Sequence, residues 1–394
     1  MVRTVVILGA SYTGIPVAHY LLKHTADTII DGLKVILVSP NTHMYWCWAT
    51  VRAILPDMLA DEKIFLPIAP NFAQYPAERF EFVLGKAENV NPDVNAVTIH
   101  ENDGTTRSIT YDELIIATGS SFKGGLPFKN LSTTGETKEM LHAWAKRIQS
   151  AKSIVVAGGG TTGIELVGEL GQEYAAKGTK EVTLIIGGDL PFQSTVMKSV
   201  QETTIRQLKR FNVQIVTNTR VAAETNGGEG SPTILELTTL GPNGNKKTKS
   251  LETDLYIPAF GVVPNTSYLP PRMLDERGFV NQTSTLRAKD HDNIFVVGDA
   301  GNIQEPRGKT ADEQVMHLVK ILDAYLLGAD ELPEYRPSES VPFSVSLGRN
   351  SGTAQLGNWR IWSWLVWLFK ARYLGTDYAP NLVKRLRTIH AKNW

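Results

Sequence analysis

The sequence predicts an α/β fold: two parallel-sheet units followed by a small α+β C-terminal region. Three observations carry this. The apolar run Val5–Leu8 passes through Gly9-Ala10-Ser11-Tyr12-Thr13-Gly14 into a helix-forming segment, Ile15–Leu22. The run Ser153–Ala157 passes through Gly158-Gly159-Gly160-Thr161-Thr162-Gly163 into an amphipathic segment, Ile164–Tyr174. A late buried run, Asn293–Val297, ends in Gly298-Asp299. A short strand that turns through glycines into a helix is the unit that cradles a dinucleotide. One match carries little weight, but two in the correct context specify two Rossmann-like dinucleotide-binding domains.

The glycines have separate tasks. Gly9 permits a turn that a Cβ would obstruct, and Gly14 lets helix and strand pack closely. Each helix N-terminus offers free N–H groups and the positive end of a dipole to a pyrophosphate. The first loop departs from the pattern at Ser11, which stands where the second glycine is expected. The second loop, with Gly158, Gly160 and Gly163, is complete.

The remaining elements follow in order. Leu33–Val38 is a second parallel strand. At its end, where an acid commonly binds the adenosine ribose, stands Ser39, followed by Pro40 and Asn41. Ser39 or Asn41 would bond a ribose hydroxyl without charge. His43-Met44-Tyr45-Trp46-Cys47-Trp48 is either plain packing or the wall of a flat ring system. Phe80–Leu84, Asn95–His100 and Arg107–Thr110 read as strands, with Asn102-Asp103-Gly104 as a hairpin turn. A buried strand through Ile115 and Ile116 then ends in Ala117-Thr118-Gly119, small residues that let backbone approach a ligand. Glu181–Ile186 is the second strand of the second unit. Ile186-Gly187-Gly188 stand where an acid would favour NADH and an arginine NADPH, so the preference is open. Gln201–Arg210 reads as a helix. Val213–Thr217, Val221–Thr225, Thr233–Thr239 and Leu255–Phe260 read as strands, with glycine-rich turns at Asn226–Gly230 and Gly241–Gly244. A helix is expected over Thr310–Leu327, and after Pro333 a third region begins.

Composition narrows the class. The 394 residues suffice for two or three domains with large cores. The 40 basic and 40 acidic residues balance, which leaves no global field to attract nucleic acid. The single cysteine, Cys47, excludes an internal disulfide and a C-x-x-C redox pair, and favours a reducing, cytoplasmic setting. The histidines show no zinc-like spacing; His19 and His24 face different directions on a helix, and no metal is expected. The first strand begins almost at once, so no signal or transit peptide is expected ahead of it. No run approaches the ~20 apolar residues that span a bilayer.

Together, the two fingerprints, the Ala-Thr-Gly strand end and the late Gly298-Asp299 form an ordered set. The chain resembles the flavoproteins of the pyridine nucleotide–disulfide reductase superfamily over residues 1 to 330. Three further stretches resemble the apoptosis-inducing-factor-like branch, which contains the ferroptosis suppressor proteins and is related to type II NADH dehydrogenases. They are Trp48-Ala49-Thr50-Val51-Arg52-Ala53, Gly163-Ile164-Glu165-Leu166, and Leu347-Gly348-Arg349 with Gly352. The resemblance implies an FAD domain (1–122 and 263–333), an inserted NAD(P)H domain (123–262) and a C-terminal region (334–394) that shapes the acceptor site. It places Gly9, Ser11 and Gly14 on the FAD pyrophosphate, Ser39 and Arg52 among the FAD contacts, and Thr118, Gly119 and Gly298 along the cofactor channel. Asp299 would bond the ribitol chain. Gly158, Gly160 and Gly163 would meet the NAD(P)H pyrophosphate. Glu165 matches an acid near the nicotinamide, and Lys309 a lysine beside the flavin. Each has a plainer reading: Glu165 as a helix-start acid, Lys309 as a solvated loop lysine, Arg52 as a surface ion pair, Asp299 as a turn acid. With Cys47 alone, electrons would pass from NAD(P)H to FAD and directly to a small acceptor, in this branch usually a quinone.

The C-terminal region carries the oddest composition. Trp359, Trp362, Trp364 and Trp367 fall in one stretch ending Phe369-Lys370-Ala371-Arg372. Tryptophans flanked by cations favour a membrane–water boundary, which makes 359–372 a candidate peripheral membrane contact. A buried helix packed on the flavin domain, or a homodimer contact, is the alternative. At the level of function, a flavin oxidoreductase for one aromatic or polyketide-like substrate, and a flavin-bearing sensor with little turnover, stay open beside the quinone reading.

Overall fold

The computed structural model describes residues 2–226, 228, 231–241, 245–338, 342–388, 391 and 394. Strand β1 (Arg3–Leu8) runs through the glycine loop into helix α1 (Gly14–Tyr20), which continues as a wider π-turn over Leu21–Thr25. The chain then forms β2 (Leu33–Ser39), the long β3 (Phe80–Asn91), β4 (Ala96–Glu101), β5 (Thr106–Thr110) and β6 (Glu113–Ile116). Val5 lies opposite both Val35 and Glu113, so β1 is flanked by parallel strands on both edges. A parallel strand covered on both faces needs an unbroken apolar run, and Val5 to Leu8 supplies one that is fully buried.

The second unit follows. Helix α2 (Thr134–Ser150) leads to β7 (Ser153–Ala157), helix α3 (Thr161–Glu173), β8 (Glu181–Ile185), helix α4 (Lys198–Arg210) and β9 (Gln214–Val216). A meander of β10 (Thr219–Thr225), β11 (Thr233–Leu240) and β12 (Lys246–Thr253) precedes β13 (Leu255–Pro258). The order β9-β8-β7-β13 is all parallel, and the meander covers it by setting Leu235 and Leu237 against Val155 and Tyr256. The chain enters and leaves this unit through one antiparallel ribbon, in which Ser120 faces Pro264. It then adds β14 (Ile294–Val296) to the first sheet and runs into helix α5 (Gly308–Leu326). The first sheet thus reads β14-β6-β1-β2-β3-β4-β5.

The C-terminal region opens with an antiparallel sheet, β15 (Phe343–Ser346), β16 (Gly352–Leu356) and β17 (Trp359–Ile361). Short helical turns follow at Ser363–Val366, Trp367–Ala371 and Ala379–Val383. It packs on α3 so closely that a Cβ on Gly168 would lie 2.8 Å from the Gly348 nitrogen.

Two expectations change. The tryptophan-rich stretch is not one buried helix: it is an edge strand followed by broken helical turns, and most of its rings are exposed. Strand β12 has no sequence signal, because Lys-Lys-Thr-Lys-Ser-Leu-Glu-Thr shows no apolar alternation; as an edge strand it is charged instead. Within the expected glycine-rich turns, 227, 229–230 and 242–244 lie outside the described residues. No helix among the described residues is long and apolar enough to cross a membrane.

Candidate functional site

The first glycine loop is built by steric exclusion. Gly9 has φ +110°, and a Cβ there would lie 2.3 Å from the Ala117 carbonyl oxygen. A Cβ on Gly14 would lie 1.8 Å from the carbonyl oxygen of Gly9. Both positions therefore demand glycine. Ser11 is half-buried, and its carbonyl accepts the first helical hydrogen bond, from Ile15. Ser39 is buried at the end of β2, where its hydroxyl accepts from the Asn41 N–H at 3.1 Å. Its own proton is left to donate.

The end of β14 closes on this loop. Gly298 has φ +80°, and a Cβ on it would press on the Thr13 methyl at 3.1 Å. Its N–H donates to the Gln314 side chain of α5 at 2.8 Å. Asp299 next to it accepts from the Ser120 hydroxyl at 2.9 Å and is paired with the Lys129 ammonium, which also reaches Ser120. Thr118 and Gly119 are fixed by Asn265: its side-chain amide donates to the Thr118 carbonyl at 2.9 Å and its backbone N–H donates to Gly119. Gly119 has φ +66°, with open space where a Cβ would stand.

The aromatic loop forms a wall beside these groups. Tyr12 and Trp48 lie 5.1 Å apart between ring centroids, and Trp46 and Trp48 lie 5.0 Å apart. Trp48 lies on the start of α5, so that a Cβ on Gly308 would fall 2.0 Å from its ring. Cys47, in the same loop, is held as a neutral thiol by burial. The Tyr12 hydroxyl is buried with no hydrogen-bond partner among the described residues, and burial pushes its pKa well up. An orphaned phenol, an aromatic wall and a helix N-terminus on one glycine loop fit a flat, polar-edged ring with a diphosphate, as FAD has. Lys309 sits in the first turn of α5 and pairs with Glu313 at 3.3 Å.

The second loop repeats the first. Gly158 has φ +138°, with a Cβ position 2.6 Å from the Ala259 carbonyl oxygen. A Cβ on Gly163 would lie 2.3 Å from the Gly158 carbonyl oxygen. Gly160 caps α3, is exposed and has nothing within 4 Å of its Cβ position. The space at this helix end is open.

Glu165, on α3, and Arg52, on the helical turn Thr50–Ala53, belong to one buried layer of charge along α3. Glu165 accepts from the Ser346 N–H at 2.9 Å and pairs with Lys370 at 2.9 Å. One turn on, Glu169 takes the fork of Arg52, whose second terminal nitrogen reaches it at 2.7 Å. Arg52 also donates to the carbonyls of Ala371 and Arg372. Glu173, a further turn on, pairs with Arg349 and Lys177. The i, i+4, i+8 spacing of the three acids was visible in the sequence, whereas their partners were not. Tyr12, Ser120, Lys129, Asn265 and Lys370 also went unmarked there. Asn265 follows a strand in Val262-Val263-Pro264, a turn signal; Lys129 stands in no recognisable pattern.

Comparison with known proteins bears on the family and the fold. The pyridine nucleotide-disulphide oxidoreductase family matches residues 3–318. The oxidoreductase ptaL of Pestalotiopsis fici is 36% identical over 365 residues, covering 92% of this chain and 94% of the relative. Ferroptosis suppressor protein 1 of Xenopus laevis is 25% identical, covering 93% and 92%. Among solved structures, the sulfide:quinone oxidoreductase of Aquifex aeolicus superposes with a TM-score of 0.74 at 18% identity, covering 96% of this chain and 92% of the other. NDH2 of Plasmodium falciparum in complex with NADH gives 0.74 at 13% identity, covering 96% and 97%. At such identities the structural likeness speaks for the fold.

Proposed function

The chain belongs to the pyridine nucleotide-disulphide oxidoreductase family, and from that premise we propose that it is an NAD(P)H:quinone-type oxidoreductase. Its cofactors are FAD and NAD(P)H, and its relatives include the apoptosis-inducing-factor-like proteins. The observation that carries the reading is the meeting of Gly9–Gly14, Gly298-Asp299 and the start of α5 around the orphaned Tyr12 hydroxyl. Bound FAD would take a hydride from NAD(P)H and hand the electrons on.

The chain's own residues have defined parts in this proposal. Gly9 and Gly14 open the pyrophosphate cradle. Asp299, held by Ser120 and Lys129, offers an acceptor to sugar hydroxyls. The N–H groups at the start of α5 present positive potential to the flavin, with Lys309 beside them. Gly158, Gly160 and Gly163 leave the second pyrophosphate site open. Glu165 and Arg52 act through position, because both are already satisfied by Lys370, Ser346 and Glu169. With Cys47 as the sole cysteine, electrons leave without an internal disulfide. The sulfide:quinone oxidoreductase fold and the aromatic wall of Tyr12, Trp46 and Trp48 support a planar quinone as acceptor. The exposed rings of 359–372 support a membrane surface as the place where it is met.

The test is anaerobic titration of the FAD-loaded protein with NADH and NADPH, followed by a quinone panel. Bleaching of the flavin absorbance and reoxidation by several quinones is expected. A flavin that neither nucleotide bleaches removes the reading. Reoxidation by one aromatic compound alone would favour the narrow-substrate alternative.

A further inference from the structure

The adenosine end of the second dinucleotide site holds a cation where the fold usually holds an acid. In a βαβ unit, the residue just past the second strand meets the ribose 2′ position. Here β8 ends at Ile185, and Ile186 turns inward: it is 1% exposed and packs beneath Gly159. The first outward positions are Gly187 and Gly188, which carry no side chain and are exposed.

Arg220, from β10, fills that place. A Cβ built on Gly187 would lie 3.4 Å from the Arg220 Nε and 3.7 Å from its Cγ, so the arginine lies across the glycine. The backbone fixes this arrangement. The Thr219 N–H donates to the Ile186 carbonyl at 3.0 Å, and the Asn218 N–H donates to the Gly188 carbonyl at 3.0 Å. Arg220 is exposed and has no acid or hydrogen-bond partner among the described residues. The nearby acid, Asp189, is engaged: its Oδ1 accepts from the Asn218 side chain at 2.5 Å. A Cβ at 187 would stand in ordinary van der Waals contact with the arginine, so the Arg220 side chain lies directly against the glycine.

We propose that Arg220, laid across Gly187, binds the 2′-phosphate of the adenosine ribose and makes this chain selective for NADPH over NADH. A guanidinium offers two parallel donors to a phosphate, whereas a bare ribose hydroxyl gains little from it. The proposal rests on the reading of the second glycine loop as the NAD(P)H site. The sequence alone left the choice open, because the cation comes from another strand and not from the loop after β8.

Two measurements test it on the flavin-loaded protein. Calorimetry compares 2′,5′-ADP with 5′-AMP, which differ only in the 2′-phosphate. Steady-state kinetics compares kcat/KM for NADPH and NADH. The wild type should bind 2′,5′-ADP at least about tenfold more tightly, the worth of one charged hydrogen-bonded contact. Arg220→Ala should abolish that difference and lower the NADPH/NADH ratio of kcat/KM by a similar factor, through KM with little change in kcat. Arg220→Lys should recover part of it. Equal binding of the two nucleotides by the wild type overturns the proposal. So does a preference for NADH that vanishes in Asp189→Asn, which would assign the ribose to Asp189. If neither nucleotide reduces the flavin while 2′,5′-ADP still binds through Arg220, the oxidoreductase reading falls and this one stands.

Discussion

Glycines at the two loops look alike in the sequence, yet they answer to different constraints. Gly163 is fixed by the protein itself, since a Cβ would lie 2.3 Å from the Gly158 carbonyl oxygen. Gly160 has φ −79° and free space around its Cβ position, so nothing in the chain requires glycine there. If a bound dinucleotide is what requires glycine there, two alanine variants separate the cases. Gly163→Ala should destabilise by about 1–3 kcal/mol or more, the range for forced overpacking, and lower the melting temperature. Gly160→Ala should melt like the wild type but raise KM for NAD(P)H. A Gly160→Ala protein with unchanged KM would show that the pyrophosphate does not pass there. Gly9 and Gly14 belong to the self-imposed class, which is why the first loop was legible despite Ser11. Steric demands between residues five apart leave a mark in the sequence; the pairing of Asp299 with Lys129 left none.

Among the elements, α3 is the best example of what a sequence shows and hides. Its glycine-capped start and apolar face were readable, as were acids at 165, 169 and 173. Their partners come from positions far along the chain: Lys370, Arg52, and Arg349 with Lys177. Long-range ion pairs have no local signature, so the plainer reading of Arg52 as a surface ion pair gives way to a buried one: it is 6% exposed on the helical turn Thr50–Ala53 and packs against α3. The same holds for His19, which stacks on Phe72 at 3.9 Å and bonds the Val383 carbonyl at 3.0 Å. Burial raises the pKa of Glu169 although Arg52 opposes the shift. Removing Arg52 leaves a buried carboxylate without its cation, and Arg52→Ala should cost about 3–5 kcal/mol near neutral pH. The sign with pH is fixed. A carboxyl whose folded pKa is raised takes up a proton more readily when folded, so its penalty shrinks as pH falls through that pKa. Thermal melts at pH 8 and pH 5 should show the deficit of Arg52→Ala narrowing at the lower pH. A deficit equal at both would mean that lost packing, and not the uncovered charge, destabilises the variant.

Across the whole molecule, the C-terminal region packs on both dinucleotide units and also carries a group of exposed aromatic rings. On its inner side, the carbonyls of Ala371, Arg372 and Leu374 take the donors of Arg52 and Trp46, which ties it to the first dinucleotide unit. On its outer side, Trp359 is 80% exposed, Trp362 68%, Trp364 58% and Phe369 78%. Four large rings left in water are a liability unless something covers them. Arg360 and Arg372 stand among them, the latter over the rings of Trp367 and Tyr373. Rings with cations at their edge match a bilayer interface with anionic head groups, and that is where a lipid-dissolved quinone would be met. Co-sedimentation with vesicles is then expected, stronger when the vesicles contain anionic lipid and weaker at high salt. Replacing Trp362 and Trp364 together by serine should weaken it by about tenfold or more, since burying one large apolar side chain contributes about 1.5–3 kcal/mol. Turnover with a short, water-soluble quinone should persist in this variant, while turnover with a long-chain quinone carried in vesicles should fall. If the variant sediments with vesicles as the wild type does, the membrane is not the partner. If the wild type is instead a dimer that Trp362→Ser with Trp364→Ser splits into monomers, the rings are covered by a second copy of the chain.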